Sequence, residues 1–163
     1  GALAYQKAPV DVINVLEVAS GAFRERFASR NLKIDLSLPD SAVVFGDKDR
    51  LMQLFNNLLE NSLRYTDSGG GLHISGRQEN GRFALTFADS APGVQDAQLD
   101  KLFDVLPDRG SRNRASGGSG LGLAICVNIV EAHNGTIRAA HSPFGGVSIT
   151  VELPLERDLS REA

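Results

Sequence analysis

Apolar residues recur every three or four positions from Leu51 through Leu54, Phe55, Leu58 and Leu59, then at every second position in Leu72–Ile74 and Phe83–Leu85–Phe87. A helical period that switches to a strand period fits neither an all-helical bundle nor an all-β sandwich. The two alternating runs, "LHISGRQ" and "RFALTFAD", flank Asn80-Gly81, a pair suited to a tight antiparallel hairpin. Strands that alternate rather than run apolar throughout keep one face on a core and leave the other wetter, unlike a doubly wound parallel sheet. The expected class is therefore an α/β sandwich with helices covering one face of the sheet.

The same periodicities place the other elements. "PVDVINVLEVASGAFRERFASRN" predicts an amphipathic helix over about residues 11–29, and "LKIDLSL" and "AVVFG" predict two short strands. Asp47 is the expected N-cap of a long helix running through Tyr65, and "TDSGGG" is a turn by composition. "QDAQLDKLF" reads as a short helix, and residues 104–119 lack periodicity and read as a loop. A further helix from about Leu121 to His133, stopped by Asn134 and Gly135, leads into the strands "TIRAAH" and "GVSITVEL". The charged end "ERDLSREA" is expected to fray.

With 163 residues the chain suits one domain, and a formal charge of −3 argues against a dedicated nucleic-acid binder. The lone Cys126, set among Ala124, Ile125, Val127 and Ile129, reads as a buried thiol of a reduced, cytosolic environment. No stretch reaches the roughly 20 apolar residues of a membrane-spanning helix. His73, His133 and His141 are scattered without ligand spacing, and neither GxSxG nor GxxxxGK[ST] occurs.

Three stretches could carry chemistry. "GGSGLGLAI" places four glycines in six positions where a helix begins, leaving amides and the helix dipole open to an anion such as phosphate; a flexible loop is the plain alternative. In "NNLLENSLRYT", Asn57, Asn61 and Arg64 fall at i, i+4 and i+7 on one stripe. Amide carbonyls suit Mg²⁺ and a guanidinium suits phosphate, whereas a solvated helix face would ask nothing of them. Three asparagines inside one helix oppose its intrinsic preference, which favours a role. In "FADSAPGV", Asp89 ends a strand beside Phe87 and Val94, where a carboxylate could accept from an exocyclic amine such as adenine's; Gly93 would allow close approach of a flat ligand. An ordinary Pro-Gly turn remains the alternative. "RGSRNR" could fold over anionic phosphates or be a solvated loop.

The order of these pieces resembles the catalytic domain of sensor histidine kinases, in the ATP-binding superfamily shared with gyrase, Hsp90 and MutL. The resemblance covers nearly the whole chain. It implies the Bergerat ATP-binding fold, a two-layer α/β sandwich whose mixed, mostly antiparallel sheet is covered on one face by about three helices. "NLLENSLRYT" looks like the family's N box, implying Asn61 as the Mg²⁺ ligand, Asn57 as a phosphate or metal-shell contact, and Arg64 and Tyr65 as neighbours of phosphate and adenine. Asn57 and Arg64 are thereby the implied catalytic pair. "DSAPG" looks like the first glycine box, with Asp89 on the adenine amine and Ala91, Gly93 and Val94 around it. "GSGLGL" looks like the second, with Gly118, Ser119, Gly120, Leu121, Gly122 and Leu123 at the phosphates, which would make the glycines the hinge of an ATP lid.

The chain departs from the family pattern at Ala91, where glycine is usual, and at "DVLPDR", which replaces a second phenylalanine followed by Tyr-Arg. Arg109 is the candidate replacement for the basic residue that reaches the γ-phosphate. The implied cofactors are ATP and Mg²⁺. The implied activity is donation of the γ-phosphoryl group to a histidine on a separate dimerisation domain, since "HISG", "HNGT" and "HSPF" do not match the acceptor pattern. Residues 1–9 would then be a linker, 10–155 the catalytic domain and 156–163 a tail. The expected partners are that dimerisation domain and, indirectly, a response regulator, with no nucleic acid. The chain alone is expected to be monomeric, as the cytoplasmic domain of an inner-membrane sensor. Two other readings stay open: an interaction module whose altered lid impairs transfer, and an ATP hydrolase of the gyrase type. Against hydrolysis, the position one turn before Asn61 is the amide Asn57, not a carboxylate base, and Glu60 lies about 100° around the helix.

Overall fold

Asp11 ends a strand and starts a helix: its Oδ1 accepts the Ile13 N–H at 3.0 Å and also the Ala42 N–H at 3.0 Å, so one carboxylate fixes both the helix start and the strand that follows. This is a computed structural model, and it describes residues 4–103 and 121–156. Its elements are β1 (Ala8–Asp11), α1 (Val12–Ser29), β2 (Lys33–Ser37), β3 (Val43–Gly46), α2 (Lys48–Tyr65), β4 (Gly71–Glu79), β5 (Arg82–Ser90), α3 (Asp96–Leu99), α4 (Leu121–Ala132), β6 (Thr136–His141) and β7 (Gly145–Pro154). Five strands form one mixed sheet in the order β2-β4-β5-β7-β6, in which only β2 and β4 run parallel, while β1 and β3 pair antiparallel as a separate two-stranded sheet.

The alternation read from the sequence divides the large sheet into two faces. Leu72 and Ile74 of β4, Phe83, Leu85 and Phe87 of β5, and Val147, Ile149, Val151 and Leu153 of β7 are all buried in one apolar cluster with residues of α1, α2 and α4. The opposite face is polar: the Thr86 and Thr150 hydroxyls lie 3.0 Å apart, and Glu152 pairs with both Arg82 and Arg138. Three helices on one face and a wetter second face are the expected architecture.

Local signals also hold. Asn80 and Gly81 both take positive φ, 53° and 77°, the left-handed pair that matches the twist of a two-residue hairpin and sets the Glu79–Arg82 register. Asn134, at φ 62°, turns the chain out of α4. Arg30, just past α1, donates to the carbonyls of Leu63 and Thr66, satisfying the C-terminal end of α2 from outside.

Two features differ from the sequence reading. Residues 8 and 9, read as linker, belong to β1, which pairs with β3. "APVD" has no period of its own, and its partner lies more than thirty residues away. The helix read over 95–103 spans only Asp96–Leu99, with a reciprocal Gln95–Gln98 cap. Its apolar residues cluster late, at Leu99, Leu102 and Phe103, so no continuous stripe extends it beyond one turn. The 104–119 loop lies outside the described residues, as do 157–163 of the charged tail.

Asp47 caps α2 as expected, accepting the Arg50 N–H at 3.1 Å, and its second oxygen accepts the Gln6 N–H at 2.8 Å. Burial works to raise the Asp47 pKa, but the backbone N–H groups of Gln6, Arg50 and Asp49 and the Arg50 charge outweigh it and hold the carboxyl below its usual range. Asp47→Ala removes the acceptor from both Gln6 and Arg50 and is expected to destabilise the fold by about 1–2 kcal/mol, measured by urea unfolding.

Candidate functional site

The C-terminal half of α2 lies beside the end of β5 because its buried face, Leu54, Phe55, Leu58, Leu59 and Ser62, packs on the sheet. Phe55 stacks with Phe87 of β5 at a ring separation of 6.4 Å. That contact brings Ser62 against Asp89, two residues further along β5. Asp89 is only 2% exposed. Its Oδ2 accepts the Ser62 hydroxyl at 3.2 Å and its Oδ1 accepts the Val147 N–H at 2.7 Å, so the carboxylate joins α2, β5 and β7. A carboxylate can accept about four hydrogen bonds, and these two fix its orientation.

The surrounding backbone is shaped to that carboxylate. A Cβ on Gly146 would fall 2.1 Å from Asp89 Oδ1 and 2.2 Å from the Ser90 carbonyl oxygen, so a side chain there would displace one of them. Gly93 is close-packed too, but against protein: its missing Cβ would lie 2.9 Å from the Gly145 carbonyl oxygen. Gly93 itself is exposed, so β7 occupies only the side on which a Cβ would stand. The Ala91 carbonyl accepts the Asp67 N–H at 2.9 Å, tying the turn after β5 to the exit of α2; Ala91 itself is exposed and Val94 is half-buried against the core.

Asn57 and Asn61 are both half-buried, one turn apart on α2. Asn57 is hydrogen-bonded to the Cys126 thiol of α4, a contact the sequence did not suggest. Burial pushes that thiol up to about 12, with the Asn57 bond working the other way, so Cys126 is a packed, neutral group and not a nucleophile. Arg64 is exposed at its place on the stripe, with its guanidinium 3.7 Å from Glu60, which also binds Arg26 of α1 at 3.0 Å. Tyr65 is half-buried at the end of α2.

Leu123 is buried in the core cluster, so its side chain serves packing. Arg109, Gly118, Ser119 and Gly120 lie outside the described residues, and for Leu121 and Gly122 only the helical backbone is described. The structure therefore sets Ser62 of α2 against Asp89 of β5, with Asn61 and Tyr65 on the same helix within one turn of Ser62, Asn57 against Cys126, and Arg64 near Glu60. Ser62, Gly146 and the Val147 N–H escaped the sequence reading. The "GG" that opens β7 was a visible signal; the hydroxyl of Ser62 on an otherwise apolar face was the other. Among the described residues, no group of three or more His, Cys, Asp or Glu could hold a metal ion, and no helix is long and apolar enough to cross a membrane. A Mg²⁺ site, if built from amide oxygens and ligand phosphates, needs no such group, and the half-buried Asn61 fits that donor chemistry.

Residues 46–157 match the family described as histidine kinase-, DNA gyrase B-, and HSP90-like ATPase. The chain is 78% identical over 163 residues to the signal transduction histidine-protein kinase BaeS of Escherichia coli (strain K12), covering 99% of this chain and 35% of that protein. It thus spans about a third of that relative's length. The solved catalytic domain of the histidine kinase ThkA superposes with a TM-score of 0.81 at 22% identity, covering 91% of this chain and 95% of that one, which is a likeness of fold. ThkA in complex with the response regulator protein TrrA gives a TM-score of 0.78 at 20% identity, covering 93% of this chain and 42% of that one.

Proposed function

Because the chain belongs to the histidine kinase-, DNA gyrase B-, and HSP90-like ATPase family, we propose that it is the ATP-binding catalytic domain of a sensor histidine kinase. It binds Mg²⁺-ATP and presents the γ-phosphoryl group to a histidine on a separate dimerisation domain. The observation that carries this reading is the buried Asp89 carboxylate, held by Ser62 and Val147 at the end of β5 beside the α2 residues Asn57 and Asn61. A desolvated, rigidly oriented acceptor suits the exocyclic amine of adenine, and an amide oxygen from Asn61 suits a hard cation.

The work left to the protein is positioning and charge neutralisation, since phosphoryl transfer needs little covalent help from side chains. Asp89 orients the base and Tyr65 flanks it. Asn61 holds the metal, whose charge when bound offsets that of the phosphates. Asn57 borders the phosphates while keeping α2 against α4 through Cys126. Arg64 must leave Glu60 to reach phosphate; the pair is a partly exposed surface contact at 3.7 Å, weak enough to exchange. Arg109 and the Gly118–Gly122 stretch are proposed to complete the phosphate seat.

Hydrolysis of the gyrase type is disfavoured by a specific contact. Glu60, the carboxylate nearest Asn61 in the chain, is ion-paired with Arg26 and Arg64, which oppose its use as a base. The further partners are the dimerisation domain and, through it, a response regulator, in a protein whose remaining length includes a membrane sensor.

The test is titration of a fluorescent ATP analogue with and without Mg²⁺, in the parent chain and in Asn61→Ala. Mg²⁺ is expected to tighten binding in the parent and to have little effect in the variant, whose metal-free affinity stays near the parent's. Absence of nucleotide binding in the parent chain would overturn the reading.

A further inference from the structure

The chain leading into the domain is tied to the far end of α4 by contacts the nucleotide site does not use. His133, 4% exposed, sits just past α4, and its Nδ1 lies 2.8 Å from the Ile129 carbonyl oxygen while its Nε2 lies 3.0 Å from the Asp47 backbone nitrogen. A carbonyl only accepts and a backbone N–H only donates, so the ring must be neutral with its proton on Nδ1. Around this ring the segment of residues 5–7 closes. Tyr5 meets the imidazole edge-on at 5.6 Å and is itself covered by the Arg50 guanidinium at 5.5 Å. The Gln6 N–H donates to Asp47 Oδ2 at 2.8 Å, and Lys7 Nζ donates to the Ala132 carbonyl at 2.6 Å. A Cβ on Gly46 would stand 2.8 Å from the ring, so the imidazole has no room to swing towards β3.

We propose that His133 is the proton-sensitive pin of a clasp that docks residues 5–7 on the junction of α2 and α4. Protonation of Nε2 sets an N–H against the Asp47 N–H, two donors face to face, and removes the only acceptor the His133 ring offers that amide. A cleft of about 380 Å³ lined by Lys7, Phe45, His133, Asn134, Leu155 and Glu156 lies along one side of the ring and gives a proton its route. The charged groups around the ring are Lys7 from the leading segment, Asp47 from the start of α2 and Glu156 after β7, with Arg50 one step further out over Tyr5. The clasp meets the end of α4 through Lys7 and the Ala132 carbonyl, while Ile129 and Val130 hold that end in the core.

The direction of the response follows from the neutral ring. Burial, aided by the Lys7 charge, lowers the His133 pKa from its ordinary 6.5, outweighing the Ile129 hydrogen bond and Asp47, which act to raise it. The folded state therefore binds a proton less readily than the unfolded chain. Its contribution is complete above the ordinary value and is lost as pH falls below it.

The experiment is an NMR titration of the 163-residue chain from pH about 7.5 to about 5, following the His133 ring and the amides of Gln6 and Asp47. The three are expected to move together with a midpoint below 6.5, with hydrogen-exchange protection of both amides falling about tenfold or more. In His133→Gln, whose side-chain oxygen can still accept from Asp47 but cannot titrate, the transition is expected to vanish. Amide signals indifferent to the His133 titration, or a transition that survives in His133→Gln, would overturn the proposal. Should that variant fail to fold, Lys7→Met decides: removal of the neighbouring cation is expected to raise the midpoint, and an unchanged midpoint rejects the clasp.

Discussion

Asp89→Asn is expected to weaken ATP binding by roughly 30- to 150-fold, about 2–3 kcal/mol, while leaving the domain folded. The substitution keeps the size of the side chain. An Asn oxygen can still accept the Val147 N–H, and the Ser62 hydroxyl, which donates to Oδ2 in the parent, can rotate to accept from the new NH₂ group. What changes is the side offered to ligand: an acceptor-only carboxylate becomes in part a donor, set against the amine it is proposed to receive. Titration of the fluorescent ATP analogue measures the loss, and circular dichroism checks the fold. Parent-like affinity in this variant would remove Asp89 from the site, whereas loss of cooperative unfolding would mark its role as structural. Gly146→Ala would press on the same carboxylate but also on the Ser90 and Asp89 carbonyls, so its effect on binding is read only alongside an unfolding measurement.

Phe55→Ala is expected to cost about 3–5 kcal/mol, the largest stability loss among these substitutions. Phe55 is fully buried and stacks on Phe87 at the interface of α2 with the sheet, so its removal leaves a cavity in the core. For a chain of this size such a loss corresponds to a fall in Tm of roughly 6–20 °C. Urea unfolding should show the midpoint lowered at an unchanged slope. The same contact positions Ser62 against Asp89, so nucleotide affinity should fall in the folded fraction as well. A loss below about 1 kcal/mol would mean that this interface repacks more freely than close packing allows.

The long elements were legible because their signals are local. Helix α2 carries its cap at Asp47 and its apolar stripe within one continuous stretch, and the β4–β5 hairpin carries its turn in Asn80-Gly81. The start of α2 and the turn of the hairpin follow from local backbone chemistry. Strand β1 was not legible, since four residues without alternation become a strand only when β3 supplies the pairing. The short α3 was overread because three apolar residues near its end were credited to a stripe they do not continue. At the site, Asn57, Asn61 and Asp89 stood out by residue type and position. Their actual partners did not: Cys126 for Asn57 and Ser62 with Val147 for Asp89 lie on other elements. Arg64 shows the limit of helical spacing, since a long, exposed side chain on the right stripe still turned to Glu60.

By itself the sequence determined the order and kind of the principal helices and strands, the one-sided burial of the sheet, and the residue types available at the site. Each depends on interactions within a few positions along the chain: period, cap, turn and charge. The tertiary structure alone decided the parallel pairing of β2 with β4, the capture of residues 5–7 at His133, and the desolvation of Asp89 between α2 and β7. Those depend on which surfaces exclude water from which groups, and that is settled only when segments distant in sequence pack together.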